Sequence, residues 1–147
     1  MTDKLPEHTE AFVLDANALL AYFQEEPGHP RMASLLEGAR DSMRRLYMCV
    51  INLGEVMYIL ERKEGSSGAQ KALALIDESP IEIIDADRSL TLAAAHLKMD
   101  CPIAFADCFA AALAQLKNAA VLTGDPEFLK IKPECNVRIE WLRSPRP

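Results

Sequence analysis

The chain has 147 residues, half of them hydrophobic and 26% charged, which suffices for one buried core and points to a single domain. Its longest unbroken apolar run is the seven residues Cys108 to Ala114, well short of the roughly 20 that a membrane-spanning helix needs. A net charge of −6 and a pI near 5.1 argue against a nucleic-acid partner, which ordinarily leaves a basic footprint, unless clustered acids hold metal ions that reverse the local field.

A polar tail is expected over residues 1–10, with no apolar segment of the signal-peptide kind, so a cytoplasmic protein is expected. One domain follows over 11–142, and a second short tail over 143–147. Elements of strand and helix alternate along the chain, as they do in a parallel sheet wrapped by helices. Ala11 to Leu14 reads as a first strand and Ala16 to Gln24 as a short helix. Pro27-Gly28-His29-Pro30 breaks it, and Pro30 suits the start of a second helix reaching about Arg45, with Met32, Leu35, Leu36 and Met43 inward. Leu46 to Ile51 is a short apolar run fit for a central strand. Asn52 then reads as the N-cap of a helix ending near Lys63, and Gly65 to Gly68 as a turn.

A helix over Ala69 to Asp77 stops before Pro80, and Ile81 to Asp85 is a third strand. Arg88 to Met99 carries Leu90, Ala93, Ala94 and Leu97 at helical spacing. After Cys101-Pro102 comes an Ala-rich helix over Ala104 to Lys117, then a strand over Ala120 to Leu122. Pro126 to Leu129 reads as a helical turn, Val137 to Trp141 as an edge strand, and the end from Ser144 as frayed. Cys49, Cys101, Cys108 and Cys135 are scattered without Cys-x-x-Cys spacing, so buried free thiols are expected.

Ligand sites in parallel α/β folds lie at the carboxyl ends of the strands. Asp15 directly follows strand one, and Asp125 follows strand four in Thr123-Gly124-Asp125. Glu55 and Asp107 lie in the first turns of helices whose N-termini reach the same rim. Topology alone therefore puts Asp15, Glu55, Asp107 and Asp125 on one edge. Whether they share a pocket depends on strand order. Two carboxylates ~4 Å apart repel by roughly 4 kcal/mol at an effective dielectric of ~20. Either some hold protons, or a divalent cation sits among them. Hard Mg²⁺ or Mn²⁺ suits carboxylate and water oxygens, and suits phosphodiester chemistry.

Taken singly, each acid has a structural reading. Asp15 suits an N-cap, Glu55 the acid of a capping box with Asn52, Asp107 a complement to the helix dipole, and Asp125-Pro126 a turn starter. The functional reading rests on the four together. Asn17 and Thr123 are short polar residues able to orient waters or carboxylates beside them, or to serve turns and caps. His8, His29 and His96 have no partner in the pattern, which argues against metal-free His chemistry. Arg40, Arg44, Arg45, Arg62 and Lys63 read as charges at helix ends.

The segments Val13-Leu14-Asp15-Ala16-Asn17-Ala18-Leu19-Leu20, Asn52-Leu53-Gly54-Glu55-Val56, Asp107-Cys108-Phe109-Ala110-Ala111-Ala112 and Leu122-Thr123-Gly124-Asp125-Pro126-Glu127-Phe128, in this order and at these intervals, resemble the PIN-domain family. In size the chain looks like the VapC toxins of toxin–antitoxin pairs. The resemblance spans about Phe12 to Trp141. It implies a three-layer α/β fold with a mostly parallel sheet of about five strands, and Mg²⁺- or Mn²⁺-dependent cleavage of RNA by metal-activated water. It carries the family's acids onto Asp15, Glu55, Asp107 and Asp125, and accessory polar positions onto Asn17 and Thr123. Ala16 departs from it, standing where a small hydroxyl residue is frequent. It further implies a homodimer and a small antitoxin lying in the acidic groove. The expectation is an endoribonuclease toxin. Its first rival is a non-catalytic PIN-like interaction module binding RNA or protein. A phosphoacceptor domain is disfavoured, since Asp15 has no acidic neighbour and Asp85 no matching Lys.

Overall fold

A computed structural model of the chain describes residues 10–41 and 43–143. The tails expected at 1–10 and 143–147 fall almost wholly outside these residues, and Glu10 belongs to the first strand. The elements are β1 (Glu10–Leu14), α1 (Ala16–Phe23), α2 (His29–Arg40), β2 (Arg44–Cys49), α3 (Val50–Glu78), β3 (Ile81–Ile84), α4 (Arg88–Asp100), α5 (Phe105–Leu116), β4 (Ala120–Thr123) and β5 (Ile139–Trp141). Two 3-10 turns, Pro126–Lys130 and Pro133–Cys135, connect β4 to β5.

The strands form one sheet in the order β3-β2-β1-β4-β5, and every neighbouring pair is parallel. Side chains alternate across such a strand, and the core divides accordingly. Phe12 and Leu14 of β1, with Leu46 and Met48 of β2, face a cluster built on α1, α2 and α3. Val13, Tyr47 and Val121 face the other cluster, built on α4 and α5. The result is three layers, with β1 central and buried on both sides. The chain builds outward from β1 to β2 and β3, then crosses to the other side of β1 for β4 and β5. That reversal opens a crevice at the carboxyl ends of β1 and β4.

Several element boundaries differ from those expected, each for a local reason. The second helix ends at Arg40, not Arg45, because Arg44 and Arg45 pair with Glu10 and Ala11 in the sheet. Arg44 Nε also donates to Glu10 Oε2 at 3.1 Å. Met43, expected inside, lies in that connection and is 68% exposed. The turn expected over Gly65 to Gly68 contracts to a single residue. Gly65 takes φ 77° and ψ 176°, and helix continues on both sides of it within α3. That φ favours glycine. The helix after β2 starts at Val50 with Cys49 as its N-cap, so Asn52 lies within it and is not the cap.

On the outer side of the sheet, Arg31 of α2 clamps β5. Its guanidinium donates to the Trp141 carbonyl and, at 2.5 Å, to Glu140 Oε1. Among the described residues no single helix is long and apolar enough to cross a membrane. Cys49, Cys101 and Cys108 are buried, as expected of free thiols, whereas Cys135 is half-buried.

Helix α5 fits between α4 and the sheet because its face is small: Ala110, Ala111, Ala112 and Ala114 are all at most 2% exposed. Extra methylenes there would have to displace the neighbours that bury these alanines. Ala110→Leu should therefore lower stability by about 1–3 kcal/mol in chemical denaturation, by overpacking.

Candidate active site

The site begins with strand register. Leu14 of β1 lies opposite Leu122 of β4, so the next residues, Asp15 and Thr123, meet just past the strand ends. Both are buried, Asp15 at 1% exposure and Thr123 at 0%. Thr123 Oγ1 donates to Asp15 Oδ2 at 2.5 Å, and the same hydroxyl accepts from the Asp125 N–H at 2.9 Å. One threonine thus orients the first acid and fixes the backbone of another. Asp15 also caps α1, its Oδ1 accepting from the Ala18 N–H at 2.8 Å. The capping reading of Asp15 holds, and its carboxylate borders the other acids as well.

The other short polar residue, Asn17, does different work. Its Oδ1 accepts from the Gly124 N–H at 2.9 Å, and among the described residues it makes no hydrogen bond to a carboxylate. It latches the β4 exit loop onto α1. A Cβ at position 124 would lie 2.8 Å from that oxygen, so a larger residue there would push the Asn17 side chain aside and loosen the latch. The loop then turns into the 3-10 turn Pro126–Lys130, with Asp125 as its cap: Asp125 Oδ1 accepts from the Glu127 N–H at 2.9 Å.

Helices α3 and α5 bring the remaining acids. Asp107 lies in the first turn of α5, and Glu55 in the second turn of α3, one turn deeper than expected because that helix begins at Val50. Fully buried Asn52 joins the two helices. Its Nδ2 donates to Glu55 Oε1 at 3.2 Å and to the Ala106 carbonyl at 3.1 Å, beside Asp107. The capping box expected from Asn52 and Glu55 is replaced by this side-chain link between helices. Among the described residues Asn52 Oδ1 has no hydrogen-bond partner. Phe105 and Phe109, two residues to either side of Asp107 in the sequence, pack on each other with ring centroids 5.1 Å apart, the first exposed and the second buried.

One further acid at the rim, Glu127, is not marked by the sequence pattern. Carboxylate oxygens of Asp107, Asp125 and Glu127 all lie within 4.8 Å of one another, the only such group of three among the described residues. The signal for Glu127 is its position two residues after Asp125, which a 3-10 turn bends back toward the rim. Lys130 Nζ lies 3.8 Å from Glu127 Oε1, an exposed pair. No other Lys or Arg among the described residues pairs with a rim acid.

Crowding and burial leave their mark on protonation. Burial pushes the Asp15 carboxyl from its ordinary 3.8 up to about 7; the bonds from Thr123 and Ala18 hold it down, and Asp107 and Asp125 raise it further. Asp107 is pushed to about 7 by burial first, then by Glu55, Asp125 and Glu127. Charge from all five acids therefore converges on one spot. Every donor is a hard carboxylate oxygen, a set that suits Mg²⁺ or Mn²⁺ and offers nothing to a thiophilic ion. A separate cavity of about 980 Å³ lies at the opposite end of β1. It contains Arg31 and Arg44, which pair with Glu140 and Glu10.

A family model described as PIN domain matches residues 12–133. No curated protein matches the sequence. Solved structures similar in fold include VapBC2 from Rickettsia felis bound to a promoter DNA fragment, 23% identical, TM-score 0.70, covering 89% of this chain and 98% of that one. DNA-bound VapBC from Salmonella typhimurium is 22% identical, TM-score 0.70, over 92% and 100%. VapC20 from Mycobacterium tuberculosis, a sarcin-ricin loop cleaving toxin, is 16% identical, TM-score 0.66, over 80% and 92%.

Asp15 and Asp107 hold protons more tightly in the fold than in the unfolded chain. Between about pH 4 and pH 7 the folded state therefore carries more protons at these two groups. Their contribution to the stability of the metal-free protein falls as pH rises across that window and levels off above it. Urea denaturation in EDTA at pH 5 and pH 8 measures this, and Asp107→Asn is expected to shrink the difference.

Proposed function

The chain belongs to the PIN-domain family, and on that premise we propose that it is a metal-dependent endoribonuclease, the toxin of a toxin–antitoxin pair. The observation that carries the reading is the gathering of Asp15, Glu55, Asp107 and Asp125 at one rim, with Glu127 joining Asp107 and Asp125 within 4.8 Å. Five acids with, among the described residues, one exposed lysine beside them form a cluster that a divalent cation relieves. The fold likeness to VapC20, a sarcin-ricin loop cleaving toxin, supports the choice of substrate class.

In this reading Asp107, Asp125 and Glu127 would hold Mg²⁺ or Mn²⁺, with the Asp15 and Glu55 carboxylates beside them. When bound, the cation supplies the charge that makes water more acidic and offsets negative charge growing on the phosphate. The chain's own part is positioning. Thr123 holds the Asp15 carboxylate in one orientation, Asn17 holds the loop that bears Asp125, and Asn52 holds Glu55 against the start of α5. Carboxylate oxygens at the rim orient water for in-line attack on phosphorus, and the product carries a 5′-phosphate. The overall charge of −6 is compatible with an RNA substrate because the ions reverse the local field where the strand is cut.

The same reading assigns a small antitoxin as the partner that covers the rim, by analogy of fold with the VapBC complexes. It also assigns a homodimer and a cytoplasmic setting.

Incubation of the full chain with structured RNA, with Mn²⁺ or with EDTA, tests the activity. Cleavage requires the metal and leaves 5′-phosphate ends. Asp107→Asn lowers the rate on the order of 100-fold or more while the fold survives, as circular dichroism would register. Undiminished cleavage by that variant rejects the assignment. Calorimetric titration with Mn²⁺ separates the enzyme from a non-catalytic interaction module: the module binds no metal at millimolar concentration.

A further inference from the structure

Away from the acids, two cysteines distant in sequence meet. Cys101 is the C-cap residue of α4, and Cys135 ends the second 3-10 turn. Their Sγ atoms lie 2.7 Å apart. Even carbon atoms in van der Waals contact rest about 3.5–4.0 Å apart, so this is closer than packing alone produces and near covalent reach.

Each sulfur is carried by backbone that is held without it. The Cys101 N–H donates to the Leu97 carbonyl at 2.9 Å, and the Cys101 carbonyl accepts from the Ile103 N–H at 2.8 Å. The Cys135 N–H donates to the Lys132 carbonyl at 3.0 Å. The Cys135 carbonyl accepts from Gln115 Nε2 of α5 at 2.7 Å. A metal site does not explain the pair: among the described residues the one set of three potential ligands in mutual reach is the acid group at the rim. Access to the two sulfurs is unequal. Cys101 is 2% exposed, while Cys135 is half-buried and opens onto a cavity of about 480 Å³ lined also by His96, Asp100, Lys132 and Glu134.

We propose that Cys101 and Cys135 form a reversible thiol–disulfide pair, oxidised by a small disulfide of the glutathione type that enters at Cys135. Cys135 gives its proton to water, and its sulfur attacks the small disulfide. A mixed disulfide forms at Cys135, and one small thiolate leaves and takes up a proton. Cys101 then gives its proton to water, and its sulfur attacks Cys135 Sγ. The protein disulfide forms, and the second small thiolate leaves and is protonated. Two protein thiols and one small disulfide become one protein disulfide and two small thiols, with both electrons on the small molecule. The buried sulfur comes second because the first partner must be reached from the cavity.

The bond closes a loop that contains Asp107, Asp125 and Glu127. It ties the end of α4 to the approach to β5, and a link of that loop length raises Tm by roughly 5–15 °C.

The test is exposure of the full chain, under native conditions, to oxidised glutathione. The expected product is lighter by two hydrogens. Its non-reduced digest joins the peptides of Cys101 and Cys135, and the rise in Tm is reversed by dithiothreitol. Cys101→Ser is expected to stall with glutathione bound at Cys135, and Cys49→Ser to behave as the parent. A parent protein that keeps four free thiols, that stops at a glutathione adduct, or that links Cys49 or Cys108 instead, overturns the proposal.

Discussion

The buried hydrogen bond from Thr123 to Asp15 is the contact on which the rest of the rim depends. A carboxylate without access to water is costly unless its lone pairs are met, and here a hydroxyl and a backbone N–H meet them. The register of β1 against β4 brings the two residues together, so a slip of one residue between these strands would separate them. The same hydroxyl takes the Asp125 N–H. The exit from β4 is thereby tied to the exit from β1, and Asn17 repeats the tie one residue further on. Two central strands, two loops and the cap of α1 thus share one small network.

Around that network the chain gathers like charges, and among the described residues one distant lysine pairs with them. Folded proteins ordinarily spread such charge or pair it. Here burial and mutual repulsion raise two of the acids toward neutrality, which marks an arrangement kept at the expense of stability. The repulsion is held in place by the layers behind it: α3 and α5 are joined through Asn52, and α5 lies on the sheet through alanines.

Much of this was legible in the sequence. Apolar runs at Val13-Leu14 and Val121-Leu122 mark strands, and an acid just beyond each must reach the same rim once the strands are parallel. The order of the elements makes them so. What was not legible depends on close packing or on turn geometry. Nothing in the spacing of Asn52 and Glu55 distinguishes a capping box from a bridge to a second helix, because the difference lies in where Cys49 starts the helix. Glu127 enters the rim only because the turn after Asp125 is a 3-10 turn. Met43 reads as a helical core position until β2 claims Arg44 for pairing with Glu10. The meeting of Cys101 and Cys135 requires a connection of irregular backbone to fold back on α4, and no period in the sequence encodes it.

The clamp of Arg31 on β5 has a meaning for the molecule in company. β5 is an outermost strand, and the bonds of Arg138 and Leu142 with β4 leave the Trp141 carbonyl on its outward side. A bare strand flank invites the flank of another molecule to extend the sheet. By taking that carbonyl and holding a glutamate beside it, Arg31 presents a neighbour with an occupied acceptor and two charged groups, and so discourages strand-to-strand aggregation along this border.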